Sequence, residues 1–181
     1  MKVFSMAHLW LDLDGVLGAF DEHVEALFGG PPRGLTFDCP ERGLIKSDAA
    51  LWAHVGTRQD FWETIPVKAG AYELFEAALP YKPTILTGCP RDGYDLAAAH
   101  KVQWIAKHFG EKYGVEVPVI TCFSRDKPLH MKNPGDILVD DFIVNIKRWQ
   151  QAGGSTVWYR DAQQSITDLK AKIARAERRG E

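Results

Sequence analysis

Residues 8–20 read H-L-W-L-D-L-D-G-V-L-G-A-F, and the rest of the chain is arranged around them. Leu9, Trp10 and Leu11 form an apolar run with the composition of a strand buried on both faces. The run then meets two carboxylates, Asp12 and Asp14, followed by Gly15. Acids at the end of a buried run are costly unless something compensates them. An Asp-Gly turn accounts for Asp14 but leaves Asp12 unexplained. A divalent cation with oxygen ligands accounts for both. Mg²⁺ suits such a place, because it binds through one or two carboxylates plus substrate phosphate.

Outward from this stretch, apolar runs alternate with helical patterns. Residues 8–12, 83–87, 117–121, 136–139 and 156–159 read as strands. Residues 70–79 read as a short amphipathic helix, with Tyr72, Phe75 and Leu79 on one side. Asp92 reads as the N-cap of a long helix reaching about residue 109 and ended by Gly110 or Gly114. Residues 143–152 read as a helix stopped by Gly153-Gly154, and a final helix starts at residue 162. This alternation predicts an α/β fold, a doubly wound parallel sheet with helices on both faces. Its functional loops belong at the carboxyl ends of the strands.

Residues 20–66 break the pattern. G-G-P-P-R-G at 29–34, Cys39-Pro40, Gly43 and Gly56 punctuate short apolar patches of helical spacing. Those patches are Val24, Leu27 and Phe28, then Leu51, Trp52 and Val55. The expectation is a small helical subdomain inserted at 20–66, with residues 1–19 and 67–181 forming the core.

Composition limits the function classes. The net charge is −2, so no general affinity for nucleic acid or an anionic membrane is implied. Cys39, Cys89 and Cys122 are far apart and form no C-x-x-C pair, which argues against a disulfide framework or a zinc site. No run has the length of a membrane span, and no signal-peptide pattern opens the chain. A cytoplasmic protein is expected.

Two further motifs fall at predicted strand ends. In I-L-T-G-C-P, the Thr87 hydroxyl followed by Gly88 suits donation to a phosphate oxygen together with nearby backbone N–H groups. By itself such a threonine reads rather as a turn residue. In G-D-I-L-V-D-D at 135–141, Asp140 and Asp141 follow a buried run directly. Adjacent like charges repel unless a cation sits between them.

Taken with its preceding strand, D-L-D-G-V-L resembles the first motif of the haloacid dehalogenase superfamily of phosphatases. The resemblance implies that Asp12 is the nucleophile and Asp14 the general acid/base. It makes Thr87 and Gly88 phosphate-binding, and it calls for a lysine. Ser124-Arg125-Asp126-Lys127 is similar to a stretch of deoxyribonucleotidase-type members and favours Lys127. Lys132, nearer the acidic pair in sequence, is the reserve. Asp12, Asp141 and the backbone carbonyl of Asp14 are then expected to hold Mg²⁺, with Asp140 acting more remotely, through water or Lys127.

Lys101-x-x-Trp104 and Asn145-Ile-x-x-Trp149-x-x-Ala152-Gly-Gly also resemble the 5′(3′)-deoxyribonucleotidase branch. Phe142 departs from it, standing where many bacterial relatives carry Arg. The implied function is a Mg²⁺-dependent phosphomonoester hydrolase with an aspartyl-phosphate intermediate and a nucleoside monophosphate as substrate. Residues 20–66 would be its cap, selecting the leaving group. Phe20, Phe61 and Trp62 either stack on the base or form the cap's own small core. Two rival readings are a general small-metabolite phosphatase and a receiver-like phosphoacceptor domain. The order of the motifs and the insertion at 20–66 argue against the receiver.

Overall fold

The computed structural model describes residues 7–29 and 47–180. Phe37, Cys39, Pro40 and Gly43 lie outside the described residues, as does most of G-G-P-P-R-G. Among the described residues there are five strands: β1 (Leu9–Leu11), β2 (Thr84–Gly88), β3 (Val119–Cys122), β4 (Ile137–Asp140) and β5 (Ser155–Trp158). They form one parallel sheet in the order β3-β2-β1-β4-β5. The helices are α1 (Phe20–Phe28), α2 (Asp48–Gly56), α3 (Ala71–Ala78), α4 (Tyr94–Ile105), α5 (Glu111–Tyr113), α6 (Ile143–Gln151) and α7 (Ala162–Gly180).

The pleat sorts the strand residues between two cores, because successive side chains point to opposite faces. Leu9, Leu11, Ile85, Ile137, Val139 and Val157 pack with α3, α7 and the end of α4. Trp10, Leu86 and Leu138 pack on the other face with Trp149 of α6. The doubly wound α/β arrangement is therefore the one the alternating pattern predicts. The direction of winding reverses at β1, where β2 lies on one side and β4 on the other. Such a reversal opens a crevice at the carboxyl edge. Register places Leu11 beside Val139, so Asp12 and Asp140 follow side by side at that edge.

One boundary of the long helix differs from expectation, and the other falls on one of the two glycines offered for it. Gly93, not Asp92, caps α4, in the left-handed conformation at φ 73° and without a side-chain cap. The glycine reaches that conformation without the Cβ penalty Asp92 would carry. The helix also continues past Gly110, through a wide π turn at Ala106–Gly110, and ends at Gly114 with φ 62°.

Within the insertion, the Ser47 hydroxyl accepts the Ala50 N–H at 3.0 Å and caps α2. A second apolar cluster joins Phe20, Val24, Leu51, Val55, Phe61, Trp62 and Ile65 to Cys89 and Ala97 of the core. The chain leaves and re-enters the core side by side, Gly18 bridging to Val67. The Trp104 indole donates to the Ile65 carbonyl at 2.7 Å and ties α4 to the end of the insertion. Among the described residues no helix is long and apolar enough to cross a membrane.

Candidate active site

The carboxyl edge of the sheet collects four carboxylates and two buried lysines, one lysine from each face. Asp12 is buried at the end of β1, and its Oδ1 accepts the Leu13 N–H at 2.8 Å. Lys127 arrives on a 3₁₀ turn, Ser124–His130, after β3. It is 1% exposed. Its Nζ lies 2.9 Å from Asp12 Oδ1 and 2.7 Å from Asp140 Oδ2. Burial alone would lower its affinity for a proton, but the Asp12 and Asp140 carboxylates outweigh that and hold it above the usual lysine value.

Asp140 is saturated by its surroundings. Besides Lys127, it accepts the Phe142 N–H at 2.9 Å and the Asn145 amide at 3.1 Å. Ser124 in turn donates to the Asn145 carbonyl oxygen at 2.9 Å. Burial pushes Asp140 up to about 6, with Lys127 pulling the other way. Asp140 thus anchors Lys127 by ion pairing. Asp141 instead leans on Gly15. A Cβ built on Gly15 would lie 2.1 Å from Asp141 Oδ2, and Gly15 itself has φ 79°. Glycine is required there by both space and conformation.

Lys101 is the residue that sequence reasoning missed as part of the site. It sits on α4, is 1% exposed, and reaches the edge from the face opposite Lys127. Its ammonium donates to Asp14 Oδ2 at 2.5 Å, to the Gly88 carbonyl at 2.6 Å and to Thr87 Oγ1 at 3.1 Å. One signal was available. Ala97, Lys101, Trp104 and Ile105 share the buried face of α4, so the lysine interrupts an apolar stripe. A lysine in such a stripe needs a buried partner.

Lys132 lies at the other edge of the sheet. Its N–H donates to Asp136, and its Nζ is 3.4 Å from His8 Nε2. Asp136, at the start of β4, also accepts N–H groups from His8 and Trp10, so it is a structural carboxylate remote from Asp12. The conspicuous pair Trp149 and Gly154 is structural too. The Trp149 indole donates to the Asp136 carbonyl at 2.9 Å, and a Cβ on Gly154 would meet that ring at 2.2 Å.

Of the two readings of Phe20, Phe61 and Trp62, their burial favours packing over an exposed stacking surface. Phe61 is 0% exposed and packs edge-on against Phe20 and Trp62. Phe20 is buried in the same cluster. Their rings are taken up in the apolar cluster that residues 20–65 share with Cys89 and Ala97, where large apolar rings are removed from water. Trp62 covers Lys101, its centroid 4.1 Å from Nζ. The exposed ring of the group is Trp52.

The donor chemistry fits a hard divalent cation. Asp12, Asp140 and Asp141 each offer an oxygen within 4.8 Å of the others. Four carboxylates against two ammonium groups also leave the edge with an excess of negative charge matching such an ion. Cys89 and Cys122 are not nucleophiles here, since burial pushes both thiols up, Cys122 to about 12.

No family model matches the chain, and no curated protein matches it. Among the solved structures that do match is one described as a haloacid dehalogenase-like hydrolase from Burkholderia xenovorans. It is 18% identical over 90% of this chain and 86% of that one, with a TM-score of 0.48.

Proposed function

We propose that this chain is a phosphomonoester hydrolase that works through an aspartyl-phosphate on Asp12. The observation that carries the reading is the buried Lys127 ammonium held between Asp12 and Asp140, at the edge where Thr87 and Asp14 also end. Asp12 Oδ1 accepts from Lys127 and the Leu13 N–H, which supports Oδ2 as the attacking oxygen. As the P–O ester bond breaks, its electron pair leaves with the ester oxygen, which takes a proton from Asp14. Asp14 then accepts a proton from the water that hydrolyses the aspartyl-phosphate. Lys127 and the Thr87 hydroxyl face the phosphoryl oxygens.

Asp12, Asp141 and the backbone carbonyl of Asp14 would hold Mg²⁺, which when bound offsets charge on the phosphoryl group. Residues 20–66 act as the cap that selects the leaving group. The preference for a nucleoside monophosphate rests on the similarity of the Lys101-x-x-Trp104 and Asn145–Gly154 stretches to deoxyribonucleotidases. The burial of Phe20 and Phe61 adds nothing to it.

The test is phosphate release, with and without Mg²⁺, from 5′- and 3′-nucleotides, sugar phosphates and p-nitrophenyl phosphate. The wild type is expected to turn over in Mg²⁺ and to favour nucleotides. Asp12→Asn, nearly isosteric, is expected to remain folded and inactive. Turnover by folded Asp12→Asn refutes the mechanism. Equal efficiency on sugar phosphates refutes the nucleotide preference and leaves a general phosphatase.

A further inference from the structure

We propose that Lys101 is a positioning residue, aligning Asp14 and Thr87 for the reaction while giving none of its own charge directly to the phosphoryl group. The inference rests on the phosphatase reading above and adds to it a role for a residue outside the four sequence motifs.

The argument starts from the donor inventory. A lysine ammonium has three N–H groups and no acceptor. Lys101 has three protein acceptors, Asp14 Oδ2, Gly88 O and Thr87 Oγ1, at 2.5, 2.6 and 3.1 Å. Its remaining side is covered by the Trp62 ring at 4.1 Å. The group is saturated and shut away from the crevice. Lys127 differs: among the described residues it meets two acceptors, Asp12 Oδ1 and Asp140 Oδ2, and so keeps one N–H for a phosphoryl oxygen.

Saturation of Lys101 has two consequences for the reacting groups. With Asp14 Oδ2 pinned, proton transfer falls to Oδ1, held in one orientation instead of several. Thr87 Oγ1 accepts from Lys101, so its own O–H must point elsewhere, towards the place where the phosphoryl group sits. A misaligned proton-transfer group loses much of the about 10²–10⁴-fold that such catalysis contributes. Lys101 therefore acts on turnover, and Lys127 acts on both phosphate binding and turnover.

The experiment uses the full chain with Mg²⁺ and a nucleoside 5′-monophosphate, whose alkoxide leaving group needs a proton from the acid. It compares wild type, Lys101→Met, Lys127→Met, Asp14→Asn and the double variant Asp14→Asn/Lys101→Met. The readouts are kcat, KM and the competitive Ki of inorganic phosphate. Lys101→Met is expected to lower kcat about thirtyfold and to keep the phosphate Ki within about threefold, whereas Lys127→Met raises that Ki about tenfold or more. In the Asp14→Asn background, Lys101→Met is expected to cost less than about threefold more, the share that passes through Thr87, because the larger share that passes through Asp14 is already lost.

The double variant removes both members of the buried pair. It keeps the comparison available if Lys101→Met alone does not fold. A tenfold rise in the phosphate Ki of Lys101→Met makes Lys101 a phosphate holder and overturns the proposal. Multiplicative losses in the double variant overturn it as well, since Lys101 then acts independently of Asp14. A wild type that hydrolyses no phosphomonoester brings down the phosphatase reading itself, whereas an active wild type with the wrong ratios brings down only the role of Lys101.

Discussion

Replacing Lys127 by Met removes the charge between Asp12 and Asp140 and keeps most of the side-chain volume. The lysine is buried, and its Nζ lies 2.9 and 2.7 Å from the two carboxylates. Without it, two acids with oxygens within 4.8 Å face each other inside the protein. At an effective dielectric constant of about 20 and that separation, their repulsion is about 3.5 kcal/mol. The figure agrees with the roughly 3–5 kcal/mol lost when one partner of a buried ion pair is removed. For a chain of this length the loss lowers Tm by about 6–20 °C.

Asp140 also supplies a pH signature for that variant. Burial already raises its pKa to about 6 in the folded wild type, above the ordinary carboxylate value. Removing Lys127 takes away a group that lowers it, so the folded pKa rises further. A raised carboxylate pKa means that the folded state binds the proton more tightly. The stability this contributes is present at low pH and is lost as pH rises through the folded pKa. Lys127→Met is therefore expected to recover part of its deficit between pH 7.5 and pH 5.5, measured by urea denaturation at both pH values in metal-free buffer. A loss below about 1 kcal/mol at pH 7.5 refutes the view that Lys127 is the counter-charge of this site.

Three other outcomes follow from the same coordinates. Gly15→Ala places a methyl group where Asp141 Oδ2 now lies, at φ 79°, and is expected to cost about 1–2 kcal/mol in backbone strain and to weaken Mg²⁺ binding by calorimetry; wild-type Mg²⁺ affinity in the folded variant would contradict it. Lys132→Ala, at the opposite edge of the sheet, is expected to leave kcat within about twofold of wild type, and a larger loss would return the reserve lysine to the site. Burial lowers the His23 pKa, so its neutral form is favoured in the fold, and that stability is present above pH 6.5 and lost as pH falls. The wild type is expected to lose more Tm than His23→Gln between pH 7.5 and pH 5.5; equal slopes would show that His23 is not held neutral.

Much of the architecture is legible without coordinates, because the physics behind it is local or periodic. Leu9–Leu11 and Ile137–Val139 are unbroken apolar runs, which only strands covered on both faces can use. Their endings in Asp12 and Asp140 place acids at the carboxyl edge of any parallel sheet built from them. The existence and order of the elements, and the candidate acids, follow from this. The boundary at Gly93 was missed because Asp92 has the side chain of a common N-cap, whereas the left-handed glycine beside it caps without one.

What only the tertiary structure decided concerns partners far apart in the chain. Lys127 and Lys132 are close in sequence, but the 3₁₀ turn leaves Lys127 beside Asp12 and the chain then returns to place Lys132 beside Asp136, at the start of β4. Lys101 meets Asp14 across 87 positions because α4 lies over the end of β2. Phe20 and Phe61 read equally as a stacking surface or as part of a small core, and packing buries both in one apolar cluster. Charge pairing and burial are properties of the space between elements, and composition and periodicity describe each element alone.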